Sequence, residues 1–480
     1  MNTEIDMTKE RVLLTFAGNT DPTRGQHDGP ILHICRYYRP QKIYLILTKE
    51  MQERDEKPHD FYRRALDRNL PGYEYELIRF RTDIVDAHKF ESYFDIVYKV
   101  FEQIKKDSEG KDIEVLVNLT SGTTQMASNL VTYIVDAENL KLTPVQVSTP
   151  ERKSNTEKPV GLDYDVGLEA EMNLDNEGET VCRLISPDLR RYTRIRLKSQ
   201  VGRLLDRYEY VASIELLKQK VFDKDQELNT LLNFALERRV LSGLESNAKL
   251  HPLSNKNYDK LYYYTKSKKE TRVPLWYEVA DYFALALTKE KVKDISGYSL
   301  MIEPFTVNLY LSILSELFGK NLNQLFEAVY SRKKTSSADV SYKISTKKLG
   351  EELKKKIEKD MNIFELKEGT YISDKVLVSM ICYFIEEKEE AKRVVSLEDF
   401  KELSETLEKV KPVRNMLAHS LKSITEHDFR EEAGVEVSKV SSTIKNFLTK
   451  YYTPLGFKPS MLDIYDNINK EIKRILEEEK

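Results

Sequence analysis

A buried-type β-strand that leads through a polar loop into a helix occurs twice in this chain, and this repeated unit most constrains the fold. In the first unit the strand Arg11 to Ala17 precedes a segment with apolar residues at helical spacing, and Ile43 to Thr48 follows as the next strand. Two strands that are joined through a helix lie parallel in one sheet. The sequence therefore predicts an amino-terminal α/β domain.

The second unit has the same order. Ile113 to Leu119 is a β-branched run, and a hydroxyl-rich turn separates it from a helix-periodic segment that begins near Met126. Loops at the carboxyl ends of parallel strands aim backbone N–H groups at anionic ligands. The two loops therefore predict a phosphate-binding crevice lined by Gly18, Asn19, Thr20, Asp21, Arg24, Asn118, Thr120, Ser121, Gly122, Thr123, Thr124, Gln125 and Met126.

Neither loop contains GxGxxG or GxxxxGK[ST], so neither a dinucleotide fold nor a P-loop NTPase follows from these residues. A turn that serves only as a structural helix cap is the alternative for the second loop.

A further candidate lies near the carboxyl end, in the segment Pro412 to His419. Proline suits the first helical position, which would place Arg414 and Asn415 in the first turn beside free backbone donors. Arginine offers a planar fork to phosphate oxygens, and histidine titrates near neutral pH. Arg414, Asn415 and His419 are therefore candidate catalytic residues for phosphate chemistry, and an ordinary amphipathic helix is the alternative.

Composition limits the function classes. The net charge is −3 and 32% of residues are charged, so a strongly basic nucleic-acid-binding protein is not indicated and any RNA site must be local. The cysteines Cys35, Cys182 and Cys382 are far apart, and the histidines show no HExxH spacing, so no metal site is expected. No apolar run approaches the ~18 residues of a membrane span, and we expect a soluble cytoplasmic protein.

Beyond Leu142 to Val147 the pattern changes. Pro150 to Thr180 is polar and predicts a hairpin-bearing appendage, whereas nearly everything after Leu189 predicts helices. The predicted helices include Gln226 to Val240, Trp276 to Val292, Val307 to Phe318 and Asp374 to Glu387, with a break near Arg332 to Ala338. The fold class is thus α/β plus all-α.

The segments GNTDP, DGPILHICRYYRP, NLTSGTTQM and RNMLAH, in this order, resemble the CARF–HEPN accessory ribonucleases of type III-A CRISPR systems. The similarity is clearest over residues 1–150 and 395–425. It implies a Rossmann-like CARF sensor domain over residues 1–185, a helical linker region over 186–300, and a HEPN helical bundle with ribonuclease activity over 301–480.

The resemblance also implies a function. Cyclic oligoadenylate would bind the crevice and activate a metal-independent endoribonuclease that cleaves single-stranded RNA and leaves 2′,3′-cyclic phosphate ends. Cyclic hexa-adenylate is favoured over tetra-adenylate as the activator. A homodimer is implied, and no stable association with the CRISPR effector complex is expected. Slow cleavage of the activator in the CARF crevice is a further expectation.

Two other functions remain open. A ligand-sensing transcriptional regulator would carry a basic recognition helix, which we do not find in the sequence. A nucleotide-dependent metabolic enzyme would use Asn118 to Met126 as a cofactor cradle, and the missing GxGxxG argues against it.

Overall fold

A computed structural model describes residues 10–57, 59–137, 141–150, 165–178, 181–218, 226–239, 274–330, 340–419 and 422–478. The chain divides into two units, Met1–Arg196 and Leu197–Lys480. This differs from the three predicted segments. Apolar residues of the predicted linker region, such as Leu228 and Phe283, pack into the same core as residues of the predicted HEPN bundle, so they belong to the second unit.

The first unit contains a central sheet. Its strands are β1 (Arg11–Phe16), β4 (Lys42–Leu47), β5 (Glu76–Arg81), β6 (Glu114–Asn118), β7 (Leu142–Val147) and β8 (Leu184–Ile185), and a separate short pair is β2 (Thr23–Arg24) and β3 (His27–Asp28). The helices are α1 (Pro30–Tyr38), α2 (Lys49–Glu56), α3 (Phe61–Asn69), α4 (Phe94–Asp107), α5 (Thr124–Asp136) and α6 (Val166–Glu171), with 3-10 turns at Phe90–Tyr93 and Leu174–Asn176. A further helix, α7 (Arg190–Leu205), begins in the first unit and continues beyond Arg196 into the second.

The sheet order is β5-β4-β1-β6-β7-β8. All neighbours pair in parallel except β7 and β8, which are antiparallel. Following the chain, β4 and β5 are added to one side of β1, and β6 is then added to the other side of β1. The reversal of direction lies between β1 and β6, which is where open α/β sheets bind ligands.

Helices cover both faces of this sheet. Leu13 of β1 packs in a core with α1 and α3, whereas Val12 and Leu14 pack in a second core with α4 and α5. Successive strand residues point to opposite faces, so a strand that is buried on both faces must be apolar throughout. This explains the continuous apolar runs from which the strands were predicted. The predicted parallel pairing of the first two strands, β1 and β4, is confirmed.

The appendage between Pro150 and Thr180, where the sequence predicts a hairpin, is helical in its described part. Its described part holds the helix α6, which begins after Asp165; the Asp165 side chain accepts hydrogen bonds from the N–H groups of Gly167 and Leu168. Residues 151–164 and 179–180 lie outside the described part of the chain.

The second unit is mainly helical around one core. Its helices are Tyr210–Leu217, Gln226–Arg239, Leu275–Lys291, Ile295–Ser312, Leu322–Leu325, Thr346–Leu349, Glu351–Met361, Asp374–Glu387, Glu389–Val394, Leu397–Glu408, Lys411–His419, Glu426–Ala433, Val437–Tyr452 and Ile464–Glu478. A π-helical turn, Ile313–Leu317, extends the fourth of these. Asp374–Glu387 was predicted with these same ends, whereas the helix predicted from Val307 begins at Ile295.

An antiparallel strand pair was missed in the second unit. β9 (Phe326–Tyr330) and β10 (Val340–Ile344) flank residues 331–339, so the predicted break at Arg332 to Ala338 lies outside the described residues.

Within the part of the chain that the structure describes, no helix is long and apolar enough to cross a membrane.

Candidate functional site

The two predicted loops meet at the carboxyl ends of the neighbouring strands β1 and β6. A Cβ atom built on Gly18 would lie 2.4 Å from the backbone nitrogen of Gly122. Gly122 has φ of +86°, and a Cβ there would lie 2.4 Å from Met126 Sδ. Only glycine tolerates both the left-handed conformation and this spacing. The loops therefore touch backbone to backbone, as the sequence analysis expected of a shared crevice.

Asn118 organises the second loop from beneath. Its buried Nδ2 donates to Thr15 Oγ1 at 2.9 Å and to Ser121 Oγ at 2.7 Å. Its Oδ1 accepts from the Thr120 N–H at 2.9 Å. Thr120 in turn accepts from the Val147 N–H at 2.8 Å through its hydroxyl oxygen. Asn118 is therefore committed to shaping the loop, and its side chain does not face the crevice surface.

Asp21 has the same role in the first loop. Its carboxylate is fully buried and accepts from the backbone N–H groups of Gly18 at 3.1 Å and Ile31 at 3.0 Å. Burial raises the pKa of Asp21 from 3.8 to about 6, although these amide donors favour the charged form. The carboxylate fixes the path of the loop from β1 into α1.

Thr123 caps α5 and joins it to a third loop. Its hydroxyl oxygen accepts from the Met126 N–H at 3.4 Å, and the hydroxyl donates to the Ala87 carbonyl at 2.9 Å. Ala87 follows β5, whose loop was not considered from the sequence. The amino-terminal end of α5 is thus tied to a strand-end loop that lies far away in sequence.

Burial sorts the predicted crevice residues into two groups. The outer group reaches solvent and consists of Asn19, Thr20, Gly122, Thr124 and Gln125, with Thr120 and Thr123 partly exposed. The inner group is buried and consists of Gly18, Asp21, Arg24, Asn118, Ser121 and Met126. Only the outer group presents side chains or free backbone to a ligand.

Two arginines form hydrogen bonds at the first loop, one from within it and one from α2. Arg24 is buried, and its Nη1 donates to Thr149 Oγ1 at 3.2 Å. Arg54 of α2, which the sequence analysis did not single out, donates to Asn19 Oδ1 at 3.2 Å through Nη2. No sequence signal marks Arg54, since it lies in a highly charged helix.

A buried polar cluster beside α1 was also missed. His33 Nδ1 lies 3.5 Å from Asp28 Oδ2, and His33 Nε2 accepts from the Arg183 N–H at 3.0 Å. Arg36 binds both oxygens of Asp28, and Arg183 Nη2 donates to Asp175 at 2.9 Å. Asp28, His33 and Asp175 offer ligand atoms close enough for a metal ion. Two guanidinium groups already supply positive charge there. Burial raises the pKa of Asp28, but the hydrogen bonds from Arg36, His33 and Asn173 and the charge of Arg36 outweigh it and lower this pKa to about 2.

The second candidate site lies on the helix Lys411–His419. Val413 and Leu417 are buried in the core of the second unit, whereas Asn415 and His419 are exposed and Arg414 is partly exposed. The helix is thus anchored by its apolar side and presents all three predicted catalytic residues toward solvent.

These residues lie further from the start of the helix than the sequence predicts. The helix begins at Lys411, and the Arg414 N–H already donates to the Val410 carbonyl at 3.1 Å. The N–H of Arg414 is therefore not itself a free donor. His419 is the last helical residue, and residues 420–421 lie outside the described part.

Arg414 has two polar contacts. Its Nε lies 2.5 Å from Glu303 Oε2 of the helix Ile295–Ser312, and its Nη1 donates to Asn415 Oδ1 at 3.0 Å. Glu303 was not predicted, because it is separated from Arg414 by more than a hundred residues and belongs to no motif. The fork of Arg414 and the amide of Asn415 are held together at the surface of one helix.

Comparison with known proteins agrees with this division of sites. Residues 265–473 match the Cas_Csm6 HEPN domain model, and residues 75–184 match the Cas_Csm6 CARF domain model. The first match contains Arg414, Asn415 and His419. The second contains Asn118 to Met126 and Ala87.

Several known proteins are similar to the chain, among them two curated relatives and one solved structure. CRISPR system endoribonuclease Csm6′ of Streptococcus thermophilus is 32% identical over 240 residues, which cover 49% of this chain and 60% of the relative. CRISPR system endoribonuclease Csm6 of Enterococcus italicus is 26% identical over 247 residues, covering 50% of this chain and 54% of the relative.

The solved structure is that of Enterococcus italicus Csm6 bound to cyclic hexa-2′-fluoro-hexa-dAMP. It superposes with a TM-score of 0.70 at 18% identity, over 97% of this chain and 100% of that chain. At this identity the superposition shows a shared fold. The chain spans about half the length of the curated relatives that it matches. With a CARF domain in its first half and a HEPN domain in its second, the chain belongs to the CARF–HEPN family that includes the Csm6 proteins.

Proposed function

We propose that this chain is a CRISPR endoribonuclease that cyclic oligoadenylate activates through the CARF crevice. The names of the relatives support the nuclease activity, and the ligand of the Enterococcus italicus structure supports a cyclic oligonucleotide as activator. The observation that carries the proposal is the exposure of Asn415 and His419 beside Arg414 on a helix that Val413 and Leu417 anchor.

The chemistry requires little from the protein. RNA carries its own nucleophile, the 2′-hydroxyl, which attacks the adjacent phosphorus while the 5′-oxygen of the next nucleotide departs. The products are a 2′,3′-cyclic phosphate and a 5′-hydroxyl. Arg414 binds the phosphate oxygens and Asn415 orients them, while His419 transfers a proton. The proposed reaction proceeds without a metal ion.

A homodimer completes this site. An in-line displacement needs a base on the side of the 2′-hydroxyl and an acid on the side of the departing oxygen. One histidine cannot serve both sides, whereas the His419 residues of two subunits facing across a two-fold axis can. We therefore propose a composite nuclease site that holds one Lys411–His419 helix from each subunit and cleaves single-stranded RNA.

The activator binds at the contact of Gly18 with Gly122. The outer group of the crevice offers amide and hydroxyl donors to the phosphates of the ring, and the inner group holds the loops in place. We propose cyclic hexa-adenylate rather than tetra-adenylate as the preferred ring. The ligand of the Enterococcus italicus structure is a six-membered ring, and the assay below compares both ring sizes on this chain.

One assay tests the proposal. The purified protein is mixed in EDTA with fluorophore-quencher RNA or DNA, with cyclic hexa-adenylate, with cyclic tetra-adenylate, or with neither. The expected result is activator-dependent cleavage of RNA that the chelator does not reduce, with DNA left intact. Cleavage of a 2′-deoxy substrate would refute the mechanism. Activator-dependent DNA binding without RNA cleavage would favour a transcriptional regulator instead.

A further inference from the structure

The loop that follows β5, Thr82 to Lys89, leaves the sheet at the same edge as the two crevice loops. We call it the β5 loop. Its first half is fastened to the end of the neighbouring strand β4. The Thr82 N–H donates to the Leu47 carbonyl at 3.0 Å, and the Lys49 N–H donates to the Ile84 carbonyl at 2.9 Å.

The second half of the β5 loop is fastened to α5 instead. Besides the bond from Thr123, the Ala87 carbonyl accepts from the Tyr93 hydroxyl at 3.0 Å. Asn129 Nδ2 of α5 donates to the Phe90 carbonyl just beyond the loop at 3.1 Å. Thr123 directly follows Gly122, so its hydrogen bond to the Ala87 carbonyl brings the β5 loop to the residue next to the contact of Gly18 with Gly122.

The side chains of the β5 loop divide between core and solvent. Ile84 and Ala87 pack against the apolar core under α4 and α5, whereas His88 and Lys89 are exposed. The His88 N–H donates to Asp86 Oδ1 at 2.9 Å, which fixes the turn that presents His88. The loop is thus held against the core by Ile84 and Ala87, and its exposed residues include His88 and Lys89 as well as Asp83 and Asp86.

The charge of the crevice explains why these groups matter. Asn19, Thr20, Gly122, Thr124 and Gln125, which form the outer group, carry no charge. Asp21 and Arg24 are the charged residues of the two predicted loops, and both are buried. A cyclic oligonucleotide has one negative charge at each phosphate, and cationic donors bind phosphate more strongly than neutral ones. The β5 loop supplies the cation of Lys89 and the imidazole of His88, beside the exposed carboxyl groups of Asp83 and Asp86.

We propose that the β5 loop is a third wall of the activator crevice and that His88 and Lys89 bind phosphates of the cyclic oligoadenylate. This inference rests on the proposed function of the CARF crevice. It adds a binding element that lies apart from the loops after β1 and β6, and it makes His88 and Lys89 ligand contacts rather than ordinary surface residues.

Direct binding of cyclic hexa-adenylate tests the inference. Calorimetry on full-length protein in a His419→Ala background compares His88→Ala, Lys89→Ala and the double variant with the parent. Each lost contact is expected to raise the Kd about tenfold, the range of a charge-assisted hydrogen bond. Lys89→Arg keeps the charge and should bind within a few-fold of the parent. The control is Lys106→Ala, an exposed lysine near the end of α4 that lies away from this edge.

The outcomes separate the two proposals. A parent protein that binds neither cyclic hexa-adenylate nor tetra-adenylate contradicts the proposed function, and the inference with it. A parent that binds while the double variant binds equally well overturns the β5-loop inference alone. An equal loss of affinity in Lys106→Ala would show a general charge effect and would also overturn it. Thermal unfolding of each variant checks that the exposed substitutions leave the fold intact.

Discussion

Arg414 Nε and Glu303 Oε2 lie 2.5 Å apart, so the cation that we propose for RNA phosphate is already paired with a carboxylate. Both side chains are more than one third exposed, with 37% and 43% of their surface accessible. Pairs at such exposure contribute between about 0 and 1 kcal/mol. An RNA phosphate can therefore displace Glu303, but it must compete with it.

We expect Glu303→Gln to lower the KM for RNA by up to about fivefold, because about 1 kcal/mol of competition is removed. The kcat should change little, since Glu303 takes no part in the proton transfers. Steady-state kinetics at saturating activator measure both constants. The control is Glu402→Gln, which breaks an exposed pair with Lys439 elsewhere in the same unit. An unchanged KM would show that Glu303 does not compete with RNA.

Loss of the proton-transferring group should be far more severe. His419→Ala is expected to lower kcat by about 10²–10⁴, the usual contribution of a positioned acid–base group. Arg414→Ala should have a comparable effect, and Arg414→Lys should restore little because a lysine lacks the planar fork. His427→Ala is the control, since His427 is also exposed and lies on the next helix, Glu426–Ala433. Normal turnover in His419→Ala would disprove the site assignment.

Much of this arrangement could be predicted from local sequence. The strands β1 and β6 were found because both sheet faces are covered, which makes their residues apolar throughout. The exposed face of Lys411–His419 also follows from local pattern. The bond from Thr123 to Ala87 could not be predicted, since it joins residues 36 positions apart whose pairing depends on the strand order. The His33 cluster was missed for the same reason, as Asp175 and Arg183 come from a distant segment.

Asn118 of the inner group and Gln125 of the outer group both carry a side-chain amide, and we expect their loss to affect different properties of the protein. Asn118→Ala removes the hydrogen bonds to Thr15, Ser121 and Thr120, and we expect it to lower the free energy of unfolding by about 1–3 kcal/mol. Gln125→Ala alters only a partly exposed side chain and should leave that free energy within about 0.5 kcal/mol. It should instead raise the activator concentration needed for half-maximal RNA cleavage.

Urea unfolding and activator titration of both variants check this contrast. Thr20→Ala serves as a second outer-group variant and should behave like Gln125→Ala. If Gln125→Ala destabilises the protein as much as Asn118→Ala, the division into an outer and an inner group has no functional meaning.

Asp21 should give the sensor a distinctive pH dependence. Burial raises its pKa to about 6 in the folded protein from 3.8, so between pH 4 and 6 the unfolded chain loses a proton that the folded chain keeps. The stabilisation by this group is present below pH 4 and is lost as the pH rises through about 6. The contribution amounts to about 3 kcal/mol.

Asp21→Asn does not titrate, and the difference in unfolding free energy between parent and variant isolates this effect from other groups. We expect the parent to lose about 3 kcal/mol relative to Asp21→Asn between pH 4 and pH 7. Urea unfolding at several pH values measures it. A difference that stays constant with pH would mean that the two amide donors outweigh burial and that the carboxylate titrates normally.

The sensor should also limit its own signal by cleaving the bound ring. A ring of RNA held with a phosphate against donors of the crevice needs only in-line alignment of a neighbouring 2′-hydroxyl to break. The segments Gly18 to Arg24 and Asn118 to Gln125 contain no histidine, and the role that we propose for His88 is to bind phosphate, so the reaction should be slow compared with RNA cleavage at His419. RNase activity is then expected to decay after one dose of activator, even when fresh RNA is supplied.

Labelled cyclic hexa-adenylate incubated with the His419→Ala protein tests this, because the nuclease site cannot contribute in that background. Linear product that forms over hours is the expected result, and a ring that stays intact contradicts it. Thr123→Ala is informative as well. It removes one of the two hydrogen bonds to the Ala87 carbonyl and loosens the cap of α5, so a variant that still binds the ring should align it less well and keep it longer. Gln125→Ala is the control for affinity. At saturating activator a variant that only binds the ring more weakly should cleave it at the parent rate, whereas a variant that misaligns the ring should cleave it more slowly.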